Sequence, residues 1–115
     1  MEIIITDFFE KQCKKVVKDI SIDEICQKIN IESKNFLDLH QPYFKLKLKS
    51  QSKTYRLLVA YDSRNLIILC VNIFDKKDKK MWENISWKLH KDKIIYWRNK
   101  WIKCIKEGTY YKKSI

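Results

Sequence analysis

Residues 43–80 read YFKLKLKSQSKTYRLLVAYDSRNLIILCVNIFDKKDKK, and this segment is the most informative part of the chain. It contains three runs of strand length, 43–49, 55–61 and 66–74, with polar turns at 50–53 and 62–65 between them. Polar turns of this length between strands predict an antiparallel meander. The last run, LIILCVNIF, is apolar on both faces, so we expect a central strand that is covered on both sides.

The first strand of the meander carries a lysine at every second position. Lys45, Lys47 and Lys49 alternate with large apolar residues, so the apolar side chains point to a core and the cations to the other face. Further cations follow the first turn and the third strand, namely Arg56, Lys76, Lys77, Lys79 and Lys80. Cations on rigid strands suit a phosphate backbone held in one register. The same alternation is also typical of an exposed edge strand whose lysines prevent aggregation, and that interpretation stays open.

Upstream of the meander, the sequence predicts one strand and two helices. A β-branched strand spans 2–5, and Thr6 or Asp7 caps a helix that runs to about Asp19. Ser21 and Glu24 match the capping box of a second helix that runs to about Ile29. We expect residues 30–42 to be a connector, closed by the single proline of the chain.

Downstream of the meander, helical spacing returns from about Lys80 to Glu107. Two apolar stripes predict a pair of helices, and the second stripe comprises Ile94, Trp97, Trp101, Cys104 and Ile105. Gly108, the only glycine, falls where a left-handed C-cap is expected. We expect the tail TYYKKSI to be frayed. The aromatic stripe needs cover, and the sheet, a partner segment or a second copy of the chain would supply it.

The charge distribution predicts a polyanionic partner. The chain has 115 residues and a net charge of +11, of which residues 1–42 contribute −2, residues 43–75 contribute +4 and residues 76–115 contribute +9. Basic surfaces of this kind bind nucleic acid by neutralising phosphates. With no long apolar run and no signal-peptide pattern at the N-terminus, we expect a soluble cytoplasmic protein and no membrane partner. The length predicts a single domain over residues 1–115.

Several chemistries are disfavoured by composition. One glycine leaves no Gly-rich loop for a nucleotide, and the four cysteines lack metal-ligand spacing, so we expect them to be reduced core residues. Acidic residues in the basic part of the chain do not pair as a magnesium cage would require. We therefore expect no metal and no cofactor, and any cleavage of nucleic acid would proceed without metal.

The ordered set of elements resembles the RelE branch of the RelE/ParE toxin superfamily, the toxins of bacterial type II toxin–antitoxin pairs. The resemblance is carried by YFKLKLKS at 43–50, YRLLVAY at 55–61, the apolar strand after it and FDKKDKK at 74–80. It implies an α+β, RelE-like fold with an N-terminal strand and two helices in 1–42, an antiparallel sheet of about four strands that includes the meander in 43–75, and basic C-terminal helices in 76–115. The implied activity is ribosome-dependent cleavage of mRNA, in which the 2′-hydroxyl of the RNA attacks the adjacent phosphate.

The resemblance also implies roles for individual residues. Lys45 and Lys47 match two strand lysines that act as base or stabilise phosphate, and Arg56 matches an arginine that stabilises transition-state charge. Lys77 stands where family members carry a second catalytic arginine. Lysine, unlike arginine, cannot donate two parallel hydrogen bonds to one phosphate. The implied RNA-binding residues are Lys49, Lys76, Lys79, Lys80 and Trp82. Of these, Trp82 would stack a base in place of the family's helix tyrosine.

The resemblance implies two partners, mRNA on the ribosome and an acidic antitoxin that wraps the toxin. The aromatic C-terminal helix is also a candidate for a homodimer interface. Two other functions stay open. One is a ParE-like toxin that inhibits DNA gyrase without nuclease chemistry. The other is a non-enzymatic basic module that binds nucleic acid.

Overall fold

The computed structural model describes residues 2–33, 43–62, 64–77 and 91–114, and these residues form an α+β fold of three helices and one five-stranded sheet. The elements in chain order are β1 (Glu2–Thr6), α1 (Asp7–Val16), α2 (Ile22–Ser33), β2 (Tyr43–Lys49), β3 (Thr54–Asp62), β4 (Ile67–Asp75), α3 (Lys91–Glu107) and β5 (Tyr110–Ser114).

The sheet has the strand order β2-β3-β4-β1-β5. The predicted meander is confirmed, since β2 pairs with β3 and β3 with β4, both antiparallel. The expectation of an antiparallel sheet of about four strands is wrong, because β1 lies parallel to β4 and a fifth strand is present in the described chain. Pairing between β1 and β4 is a long-range event that local turn patterns do not encode.

The C-terminal tail is a strand, and the expectation of a frayed end is wrong for Tyr110–Ser114. Gly108 adopts φ 73°, the predicted left-handed cap of α3, and the chain then turns back along the sheet. Its amide donates to the carbonyl of Ile105 at 3.2 Å. β5 pairs antiparallel with β1 along its whole length. The segment YYKKS has no apolar alternation, so its strand state follows from the pairing partner that β1 offers.

The predicted helix starts are confirmed and the predicted ends are corrected. The Thr6 hydroxyl accepts from the Phe9 amide at 3.1 Å, and the Ser21 hydroxyl accepts from the Glu24 amide at 3.1 Å. α1 ends three residues earlier than predicted, because the chain turns extended at the buried Val17. α2 continues to Ser33, four residues beyond its predicted end, so the connector starts later than expected. The rest of that connector lies outside the described residues.

Two apolar cores lie on opposite faces of the sheet. The first core joins α1 and α2 to one face of the sheet, with residues Phe9, Cys13, Ile25, Cys26, Ile29, Phe44, Leu46, Leu48, Tyr55, Leu57 and Val59 among its members. The second core joins α3 to the other face and contains Ile4, Leu58, Leu69, Val71, Phe74, Ile94 and Trp97. The molecule is therefore layered, with two helices, the sheet and then one helix.

Both cores include β4, which confirms the prediction of a central strand covered on both sides. Ile68 belongs to the first core and Leu69 to the second, as strand alternation requires. The α3 stripe packs on the sheet, with the rings of Phe74 and Trp97 centred 5.1 Å apart. The first of the two helices predicted between Lys80 and Glu107 lies outside the described residues.

Three of the four cysteines are buried, as expected, and the fourth is half-buried. Burial raises the pKa of Cys13 to about 12 and raises the pKa of Cys26 and Cys70 as well. All four thiols are reduced, and Cys104 is the half-buried one on α3. These thiols act as small apolar core groups. No helix in the described part of the chain is long and apolar enough to cross a membrane.

Candidate nucleic-acid interface

Strand β2 presents its lysines on the α3 face of the sheet. Lys45, Lys47 and Lys49 are exposed, whereas the apolar residues between them are buried in the first core. Because successive side chains on a strand point to opposite faces, the lysines lie on the face that α3 partly covers. β2 is one of the two edge strands, so this basic surface lies at the border of the sheet. The predicted alternation of β2 is confirmed.

A first row of side chains crosses three strands at Lys47. In the strand ladder, Lys47 is the partner of Arg56 on β3, and Arg56 is the partner of Phe74 on β4. Directly opposed residues hold their Cβ atoms about 5 Å apart. Two cations thus stand side by side, and a buried phenylalanine that contacts Trp97 completes the row.

A second row, toward the end of the sheet, contains two more cations. Lys49 is the ladder partner of Thr54. The Lys76 amide donates to the Thr54 carbonyl at 2.8 Å, which extends the β3–β4 pairing by one residue. Lys76 therefore continues the side-chain alternation of Phe74 and lies on the same face. We call Lys47, Lys49, Arg56 and Lys76 the cation cluster.

Toward the middle of the sheet, the cations give way to other side chains. Lys45 is opposite Leu58, and Leu58 is opposite Asn72, which is 2% exposed. The ladder shifts register next to Leu58, and the side-chain oxygen of Asn72 accepts from the Ile73 amide at 2.9 Å. The cation cluster therefore ends at a β-bulge, beside which the side-chain oxygen of the buried Asn72 is hydrogen-bonded within β4.

Mutual repulsion within the cluster acts most clearly on Lys47. The ammonium of Lys76 lowers the pKa of Lys47 below its ordinary value, with further lowering from Lys49, from partial desolvation and from Arg56. A neighbouring cation disfavours a second charge, so Lys47 holds a larger neutral fraction than an isolated lysine. A neutral amine accepts a proton, and the cations around it attract phosphate.

Lys77 lies beyond the cluster, in the turn after β4. Its amide donates to Oδ1 of Asp75 at 2.9 Å, and the other Asp75 oxygen pairs with Lys53 at 3.6 Å. Lys77 lines an open depression of about 270 Å³ at the end of the sheet, together with Lys49 and Lys76. The cations that lower the pKa of Lys47 are Lys76, Lys49 and Arg56, and Lys77 is not among them. The catalytic role of Lys77 stays a prediction.

The other predicted site residues divide into two groups. Lys49 and Lys76, predicted to bind RNA, lie in the cluster beside Lys47 and Arg56. Lys79, Lys80 and Trp82 lie outside the described residues. The association of Lys76 with the cluster could have been found by counting, because Lys76 comes two residues after Phe74, directly after the end of β4.

Comparisons of the chain with protein-family models, with curated proteins and with solved structures found no match. The resemblance to RelE toxins therefore stays a prediction that rests on residues 43–80. In 2–33, 43–62, 64–77 and 91–114, no three His, Cys, Asp or Glu side chains converge in a way that could hold a metal ion.

Proposed function

We propose that this protein is a RelE-like toxin of a type II toxin–antitoxin pair that cleaves mRNA on the ribosome. One observation carries the proposal: Lys47 and Arg56 are direct cross-strand partners, and Lys49 and Lys76 stand in the next row. An amine with a lowered pKa beside a guanidinium is a suitable pair for phosphodiester chemistry.

In the proposed reaction, neutral Lys47 takes the proton of the RNA 2′-hydroxyl. The 2′-oxygen forms a bond to the adjacent phosphorus, the bond from phosphorus to the 5′-oxygen breaks, and a protonated lysine of the cluster donates to that leaving oxygen. Arg56 donates two hydrogen bonds to the phosphate oxygens as their charge grows. The products are a 2′,3′-cyclic phosphate and a 5′-hydroxyl, and the residues Lys45 and Lys77 are assigned supporting contacts with phosphate.

The proposed partners follow from charge. A cluster of cations that extends inward from an edge strand of the sheet attracts an anionic ligand, which for a ribosome-dependent nuclease is mRNA in a ribosomal complex. An antitoxin that silences this surface would carry acidic side chains opposite the cluster.

The test is cleavage of a defined mRNA on purified ribosomes, followed by analysis of the RNA ends. We expect 2′,3′-cyclic ends with the natural sequence, and a loss of rate of about 10²-fold or more for Lys47→Ala and Arg56→Ala. Lys15→Ala is the matched control, since Lys15 is an exposed lysine of α1 on the opposite side of the sheet. Intact mRNA with the natural sequence would contradict the proposal. Growth arrest that survives combined Lys45→Ala and Lys47→Ala would instead favour inhibition of gyrase.

A further inference from the structure

The cation cluster contains two parallel pairs of cations. Lys47 and Arg56 form one row, and Lys49 and Lys76 flank Thr54 in the next. Lys47 and Lys49 are two residues apart on β2, which separates the rows by about 6.8 Å along the strand. That separation is close to the distance between consecutive phosphorus atoms of an extended single strand of nucleic acid.

We propose that the row of Lys49, Thr54 and Lys76 is a second phosphate subsite, which binds the phosphate next to the one held by Lys47 and Arg56. The inference rests on the proposed function, because it assigns the first row to the phosphate that reacts. The ligand class is a single strand with two consecutive phosphodiesters, lying along β2.

The chemistry of the second row fits a phosphodiester. Lys49 and Lys76 are exposed and supply ammonium donors, and Thr54 lies between them on the same face with a hydroxyl donor. Lys53, also near this end of the sheet, is engaged by Asp75. Asp75 lines the same open depression, and its two oxygens are engaged by Lys53 and by the Lys77 amide. The second row therefore presents two cations and a hydroxyl to a ligand.

The charge balance also favours two phosphates over one. One phosphodiester carries a single negative charge, whereas the cluster holds four basic residues whose repulsion lowers the pKa of Lys47. Two consecutive phosphodiesters bring two charges and place each against its own pair of cations. On the far side of the first row, Lys45 faces the buried Leu58 instead of a second cation, so no third pair of this kind exists in β2 and β3.

The test measures equilibrium binding of thymidine oligomers made with deoxyribose, which lack the 2′-hydroxyl and stay uncleaved. One ligand is a trimer with two phosphodiesters, and the other is a dimer with one. We expect the natural sequence to bind the trimer roughly tenfold more tightly than the dimer, the gain from one more charged hydrogen-bonded contact. With Lys49→Ala plus Lys76→Ala, we expect both ligands to bind within about twofold of each other.

Lys15→Ala serves as the control variant and should keep the trimer preference. A preference that persists in the double variant, or that is absent from the natural sequence, would overturn the second subsite. Circular dichroism of the double variant checks that the fold is retained. If the double variant does not fold, the single variants Lys49→Ala and Lys76→Ala take its place, and each is expected to reduce the trimer preference. Because the ligands are not cleaved, binding and cleavage are tested separately. If the protein cleaves mRNA but shows no trimer preference, only the second subsite is rejected. If it shows a trimer preference but does not cleave mRNA, only the proposed nuclease activity is rejected.

Discussion

The Tyr55 hydroxyl donates a hydrogen bond of 2.8 Å to Oδ1 of Asp19, 36 residues earlier in the chain. The Ser52 hydroxyl donates to the other Asp19 oxygen at 3.3 Å. Asp19 lies between α1 and α2, and Ser52 lies in the turn between β2 and β3. The helical layer is thus tied to the turn that joins Lys49 to Thr54, where the second row of the cation cluster begins.

Tyr55→Phe should lower the free energy of unfolding by about 1 kcal/mol, because it removes this hydrogen bond and keeps the buried ring. Urea denaturation measures the change. Tyr96→Phe is the matched control, since Tyr96 is 56% exposed and should shift stability by less than about 0.5 kcal/mol. Equal effects of the two substitutions would contradict a stabilising role for the Tyr55–Asp19 bond.

Asp19 should make stability depend on pH in the acid range. Hydrogen bonds from Ser50, Tyr55 and Ser52 lower the pKa of Asp19 below its ordinary value of 3.8. A carboxyl with a lowered folded pKa contributes stability above the unfolded pKa and loses it as pH falls through the folded pKa. We expect Asp19→Asn to flatten the fall in the free energy of unfolding below about pH 4, measured by urea denaturation at several pH values. A profile as steep as that of the natural sequence would contradict the assignment.

Lys76→Ala should raise the pKa of Lys47, because it removes the neighbouring cation with the largest effect. The neutral fraction of Lys47 at a given pH then falls, so the rising limb of the pH–rate profile for mRNA cleavage should move to higher pH. NMR titration of the Lys47 amine measures the shift without reliance on activity. Lys77→Ala is the comparison, and a shift as large as that of Lys76→Ala would show that the turn after β4 is arranged differently.

Trp97→Ala should destabilise the fold by about 3 to 4 kcal/mol, since Trp97 is 5% exposed and packs on Phe74 in the second core. The neighbouring residue Tyr96 provides the matched control, because its side chain is on the outer side of α3 beneath Lys100. We expect Tyr96→Ala to change stability by less than about 1 kcal/mol in thermal or urea unfolding. A small effect of Trp97→Ala would mean that α3 contributes little to the stability of the sheet.

Gly108→Ala should destabilise by about 1 kcal/mol through the backbone alone, because φ is 73° and an added Cβ would meet nothing within 4 Å. Gly108→Asn should lower the free energy of unfolding by less than Gly108→Ala, since asparagine tolerates the left-handed region better than alanine. Denaturation of the two variants under identical conditions checks the order. A larger loss of stability in Gly108→Asn than in Gly108→Ala would point to an effect of the asparagine side chain.

Sequence patterns predicted the elements whose signal is local. The alternation of Lys45, Lys47 and Lys49 set the face of β2, and the apolar run at 66–74 marked β4 as central. Both follow from the period of a strand against a core. The bounds 43–49 of β2 are reproduced in the structure, and those of β3 and β4 move by one residue.

The remaining features depend on contacts between distant segments. The parallel pairing of β1 with β4 joins the N-terminal segment to the third strand of the meander, and the strand state of β5 follows from its pairing with β1. The bond between Asp19 and Tyr55 likewise joins a helix connection to a strand.

The position of β5 has a consequence for the solubility of the protein. β1 has the sequence EIIIT, and its three isoleucines are buried. Without β5, one side of this β-branched strand would expose unpaired amide and carbonyl groups, a template on which other chains can aggregate. β5 occupies that side with a segment that carries Lys112 and Lys113. Loss of β5 after cleavage near Gly108 would thus leave β1 with an unpaired side on which other chains can aggregate.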